Sequence, residues 1–285
     1  MKITPLPSLK KLNEPQFWLL SIAAGLIALH LTLTSRAYDT KLLVISAGAW
    51  TAASCLVYRK RHSLKLEMGV VSSALGISLI ALVLLKSSSL SDYDTFLRIS
   101  PLVGAIGLGL LASGFRGLKH YWKELTILSF LAIPQGILAS FIPLPELMAQ
   151  FSFFLLQPLG LQLSRQGTFI AGSKGGVEVA FDCSGAELIV FMLELAIIFS
   201  LIFPTKRSHA ILAMVVAVAL SVLVNGGRIA FLAVQAASGN TETLKYWHGG
   251  PGTPLFEIVP VFLFGLFCLL LLRQWNPDSG GADGF

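Results

Sequence analysis

Residues 210–234 read AILAMVVAVALSVLVNGGRIAFLAV, and the first 18 of these positions carry no charge until Arg228 is reached. A run of that length and composition is read as a membrane-spanning helix, because every backbone polar group must be satisfied internally in hydrocarbon. Working outward, the same pattern recurs along the chain. Apolar runs broken by polar or basic clusters give spans at about 16–35, 40–58, 66–85, 101–115, 125–141, 183–203, 210–237 and 255–272. The whole composition agrees: of 285 residues, 54% are hydrophobic and 13% charged, about half the charged share of a soluble domain. The expected fold class is therefore all-α integral membrane. We expect one polytopic helical bundle of about eight transmembrane helices, forming a single membrane-embedded domain over 1–285. A water-soluble fold, disorder and a collagen-like chain are excluded.

The net charge of +6 raises the question of nucleic acid, but the basic residues follow the orientation rule for membrane loops. One side collects Lys2, Lys10, Lys11, Arg59, Lys60, Arg61, Lys65, Arg116, Lys119, Lys123, Lys206, Arg207 and Arg273, thirteen in all. The other collects seven: Arg36, Lys41, Lys86, Arg98, Arg165, Lys174 and Lys245. This bias places both termini in the cytoplasm of a multi-pass protein of the cell membrane. Spread over short loops, the charge makes no nucleic-acid patch, so lipid is the expected surrounding and nucleic acid is not an expected partner. The first apolar run reads as a retained helix rather than a cleaved signal. Residues 1–15 read as a cytoplasmic N-terminal segment and 274–285 as a flexible cytoplasmic tail.

The long stretch at 142–182 differs from its surroundings and reads as an extracytoplasmic insertion before the sixth span. It opens with Ile142-Pro143-Leu144-Pro145. An apolar run from Leu147 to Leu156 then ends at Pro158, too short to span and suited to an interfacial helix. Two β-like runs, Thr168-Phe169-Ile170 and Val177 to Phe181, flank a Gly-rich turn and predict a hairpin.

That hairpin delivers the chain to Cys183. The spacing predicts a helix opening there with Asp182 as N-cap, which would favour the thiolate through the helix dipole. The other two cysteines, Cys55 and Cys268, lie mid-span among apolar residues and read as inert packing. With no clustered ligand spacing, neither a disulfide framework nor a metal or cofactor site is expected. Arg228 sits roughly 27 Å along its helix at 1.5 Å per residue, near the opposite membrane boundary from Ala210. It either snorkels as an anchor or faces a polar site, and Gly226 and Gly227 before it favour close backbone approach. His248, in Trp247-His248-Gly249-Gly250-Pro251-Gly252, is the one histidine on the same side as Cys183; His62, His120 and His209 fall in inner loops and His30 in the first span. A solvated loop histidine is the ordinary alternative. Together the three supply nucleophile, base and charge stabiliser for acyl transfer through a thioester. Glu178, Asp182 and Glu187 are candidates to orient the histidine or arginine, or are simply cap and hairpin residues. Gly104, Gly107, Gly109 and Gly114 lie inside a span and read as close helix packing rather than a nucleotide loop.

At Asp182-Cys183-Ser184-Gly185, Asn225-Gly226-Gly227-Arg228-Ile229 and His248, the sequence resembles the exosortase/archaeosortase family, and its contexts are most similar to cyanobacterial exosortases. The resemblance implies a membrane cysteine peptidase or transpeptidase. Its substrates would be exported proteins carrying a C-terminal recognition motif such as Pro-Glu-Pro, a transmembrane helix and a basic tail. It implies Cys183 as nucleophile, Arg228 as the substrate-orienting or oxyanion residue, and His248 as general acid/base, all facing the extracytoplasmic side. Three other readings stay open from residues alone: a transporter binding an anionic solute at Arg228, a non-catalytic scaffold, and Ser184 as the nucleophile.

Overall fold

The computed structural model describes residues 15–37, 40–62, 64, 66, 69–88, 95–133, 142–203 and 206–275. The chain forms two compact units, Met1–Pro134 and Gln135–Phe285. The N-terminal segment 1–14 and the tail from 276 lie outside the described residues.

In the first unit, α1 (Pro15–Arg36), α2 (Thr40–Arg59), α3 (Val70–Ser87), α4 (Thr95–Gly117) and α5 (Trp122–Leu131) follow one another. A 3-10 turn at Leu118–Tyr121 joins the last two. Of the α4 glycines expected to serve close packing, Gly107 and Gly109 do, while Gly104 has only ordinary contact at 3.4 Å. A Cβ on Gly107 would stand 2.9 Å from the Gly76 carbonyl oxygen of α3, so the helices cross with their backbones nearly touching. Gly114 leaves helical geometry altogether at φ 62, ψ −173, which kinks α4 near its end. Two buried polar clusters here are paired. Trp50 Nε1 donates to His30 Nδ1 at 3.1 Å; an indole N–H only donates, so the imidazole proton sits on Nε2, facing Thr34 Oγ1 at 3.4 Å. Lys60 reaches Glu124 Oε2 at 2.8 Å and donates to the His120 carbonyl.

The second unit carries α6 (Leu144–Leu156), a small sheet, α7 (Ala186–Ile202), α8 (Arg207–Ser238), α9 (Thr241–His248) and α10 (Leu255–Trp275). The sheet is an antiparallel meander of β1 (Ser164–Gln166), β2 (Phe169–Ala171) and β3 (Gly176–Glu178), in the order β1-β2-β3. Its β2–β3 half is the hairpin expected around the Gly-rich turn; β1 adds a strand that the sequence reading lacks. Ile170 and Val177 are cross-strand partners, and with Val179 they form the inner face, where Ile170 is 0% exposed. The opposite face presents Phe169 and Glu178 to the surroundings. Each apolar side chain fully removed from water contributes roughly 1.5–3 kcal/mol, so this alternation fixes which way the sheet faces. Below it, Leu144, Met148 and Ala149 of α6 and Ile229, Ala230 and Ala233 of α8 complete one core. Thus α6 buries a stripe inward while Leu147 and Phe154 stay exposed. A second core joins α7, α8 and α10 through Met192, Ala196, Ala213, Ala217 and Phe264.

Six helical stretches among the described residues are long and apolar enough to cross a membrane: Pro15–Arg36, Leu42–Lys60, Val70–Ser87, Thr95–Leu131, Arg207–Ser238 and Leu255–Arg273. The chain is a helical membrane protein. The expected fourth and fifth spans fall on the single kinked stretch Thr95–Leu131, and residues 134–141 of the fifth lie outside the described residues. The expected sixth is α7, which at 17 residues is one shorter than Val70–Ser87.

Candidate active site

The structure corrects the local reading at Cys183. The helix does not open there and Asp182 does not cap it: Phe181–Cys183 form a 3-10 turn, and α7 starts at Ala186 with Gly185 as N-cap. Gly185 adopts φ 80, ψ 10, a left-handed conformation that costs other L-residues energy. A Cβ there would also stand 2.6 Å from Asn225 Nδ2. The glycine, not the preceding aspartate, is the residue that turns the chain into the helix. The thiol consequently precedes the helix by a turn of its own.

The side chain that holds this turn is Asn225 of α8, 3% exposed, whose Nδ2 donates to the Cys183 carbonyl oxygen at 3.0 Å. Sequence reasoning quoted Asn225 in a motif without giving it a role. Its signal was there: a buried amide in an otherwise apolar span must find a partner. The neighbouring glycines divide. A Cβ on Gly226 would lie 2.4 Å from Phe151 Cδ1 of α6, whereas one on Gly227 meets nothing within 4 Å. Gly226 therefore lets α6 approach α8, and Gly227 has no such duty.

Cys183 Sγ lies 3.4 Å from His248 Nε2, across 65 residues of sequence. His248 ends α9, whose start is capped by Asn240 accepting from the Thr243 N–H at 3.4 Å. The chain then folds back over Tyr246 and Trp247. A Cβ on Gly250 would strike the Tyr246 carbonyl at 2.7 Å, and one on Gly252 the Trp247 ring at 2.5 Å. Trp247 is wedged edge-on against Phe231 and Phe256, with centroids 5.9 and 5.6 Å away. This packing seats the imidazole over the thiol.

Arg228 Nη2 donates to the His248 carbonyl at 3.0 Å, and its guanidinium lies 5.8 Å from the Phe256 ring centroid. Its Nε is buried and has no hydrogen-bond partner among the described residues. The arginine is thus no simple anchor reaching for headgroups, since it is tied to the loop that carries His248. Burial pushes the Cys183 thiol above its ordinary pKa; the Arg228 charge pulls it down and the Asp182 carboxylate pushes it up. Burial is the largest of the three, so the resting group is a thiol that needs a base, not the dipole-stabilised thiolate expected from a helix N-terminus.

The remaining sequence candidates fall as follows. Ser184 is 0% exposed and donates its hydroxyl to the Phe181 carbonyl at 2.6 Å, so it lies under the turn. Glu178 and Asp182 are exposed, and Glu187 sits in the first turn of α7. Cys55 is exposed and Cys268 buried, each on a membrane-length helix.

The sequence model of the transmembrane exosortase family matches residues 33–265. The chain belongs to that family. The match takes in Cys183, Asn225, Arg228 and His248, and makes this exosortase a multi-pass membrane enzyme concerned with protein sorting. No curated protein and no solved structure matches the chain.

Proposed function

We propose that this exosortase is a cysteine peptidase or transpeptidase that cleaves the C-terminal sorting signal of exported proteins at the extracytoplasmic membrane face. The observation that carries this reading is the 3.4 Å approach of Cys183 Sγ to His248 Nε2. His248 Nε2 takes the thiol proton as Sγ attacks the scissile carbonyl carbon. The tetrahedral oxyanion forms near the positive Arg228, and its collapse expels the amine of the C-terminal fragment, which leaves with the proton held by His248. The acyl group remains on Cys183 as a thioester, until water or a second amine attacks the same carbon and the thiol is restored. Arg228 has two parts in this scheme: it fixes the His248 backbone and places positive charge beside the thiol.

The substrate would carry a short recognition motif, a transmembrane helix that docks laterally, and a basic tail that stays cytoplasmic. The test is processing of a tagged exported protein of this kind, co-expressed with the enzyme. Cys183→Ala should abolish cleavage while Cys55→Ala and Cys268→Ala leave it unchanged; normal cleavage by Cys183→Ala would end the reading.

A further inference from the structure

The strand that leads to the thiol has an open side. Only four residues separate Glu178, the last of β3, from Cys183. Val179 N–H donates to the Thr168 carbonyl at 3.0 Å, and Gly172 N–H to the Gly175 carbonyl at 2.8 Å. Residues 175, 177 and 179 therefore turn their main-chain groups toward β2. By the alternation of an antiparallel ladder, Gly176 and Glu178 turn theirs the opposite way. On that side β3 is the end of the sheet, and no further strand pairs with it among the described residues.

The two edges of the sheet are not equivalent. On β1, Arg165 pairs with Ile170 and so lies on the inner face, its guanidinium folded onto the Gly167 carbonyl at 2.7 Å. An inward charge of this kind discourages another strand from adding. On β3 the corresponding inner position is Val177, and the outer face offers Glu178 opposite Phe169. The β3 edge carries no such inward charge, and it is the edge continuous with Cys183.

We propose that the outer edge of β3 receives the peptide substrate as a fourth strand, hydrogen-bonded through the main chains of Gly176 and Glu178. This rests on the peptidase reading above. The occupant is an extended peptide segment, because only a strand can satisfy alternating N–H and C=O groups along an edge. Such pairing holds the chain straight and presents successive carbonyls at fixed intervals, whatever its side chains. Side-chain selection then falls to the face carrying Phe169 and Glu178.

Hydrogen exchange on full-length Cys183→Ala in lipid vesicles tests this, with and without a tagged exported protein bearing a C-terminal membrane helix and basic tail. The expected result is co-purification, with slower exchange across 174–180 and none across 163–167. Co-purification with 174–180 exchanging as in the free enzyme overturns edge docking and leaves the peptidase reading standing. Failure to co-purify counts against the peptidase reading, and edge docking falls with it. In the active enzyme, Glu178→Pro removes the outward N–H without touching the β2 ladder. It should cut processing by about tenfold, while Arg165→Pro, on the far edge, stays near wild type. Wild-type processing by Glu178→Pro overturns the proposal, and if that variant fails to fold the exchange experiment decides.

Discussion

Gly185→Ala tests the turn that carries the thiol, because two costs meet at one atom. Alanine at φ 80 is in left-handed geometry, which costs roughly 1–2 kcal/mol. Its Cβ would also stand 2.6 Å from Nδ2 and 2.8 Å from Cγ of the buried Asn225. Relief requires that side chain to swing away from the Cys183 carbonyl, which it now holds at 3.0 Å, and losing such a bond costs about 1 kcal/mol. The expected destabilisation is about 2–3 kcal/mol, read from denaturant unfolding of the purified protein. The partition is checked in a second background. In Asn225→Ala the hydrogen bond and the two closest clashes are already gone, leaving only the Cβ of residue 225 at 3.1 Å, so Gly185→Ala should cost about 1 kcal/mol less there. Purely additive costs would refute the contact, and a neutral Gly185→Ala would refute the turn itself.

The other predictions concern charge and packing around the same residues. Asp182→Asn removes a charge that raises the Cys183 pKa, so the alkylation profile of the thiol should move to lower pH; Arg228→Gln should move it to higher pH. Shifts of the same sign in both variants would contradict the assignment. Gly226→Ala drives a Cβ into the Phe151 ring, an overpacking cost of about 1–3 kcal/mol. Gly227→Ala meets nothing and gains about 0.5–1 kcal/mol of helix stability, so their unfolding midpoints should separate with Gly226→Ala the lower. Arg228→Lys should lose most of its processing activity, because a compact ammonium lacks the rigid planar fork in which one N–H group holds the His248 carbonyl while the others face the reacting carbonyl in fixed geometry.

The long spans were legible because hydrocarbon demands uninterrupted apolar runs; α8 and α10 needed no more than counting. The β2–β3 hairpin showed in its Gly-rich turn, but β1 did not, since Ser164-Arg165-Gln166 is polar throughout and has no alternation to read. At Cys183 an aspartate looked like the helix cap, yet the steric needs of Gly185 against Asn225 decided the turn. That depends on α7 meeting α8, which local spacing does not encode. The same is true of the site. Topology suggests one face for Cys183, Arg228 and His248, while their distances come from Trp247 packing and the close folding of Gly250 and Gly252.

The central claim is a thioester on Cys183, and mass spectrometry of the substrate's new C-terminus in the presence of hydroxylamine tests it most directly. Attack of hydroxylamine on the acyl-enzyme should leave a hydroxamate there in the wild type and in Ser184→Ala, and no product in Cys183→Ala. A hydroxamate or a normally cleaved product from Cys183→Ala would contradict the account.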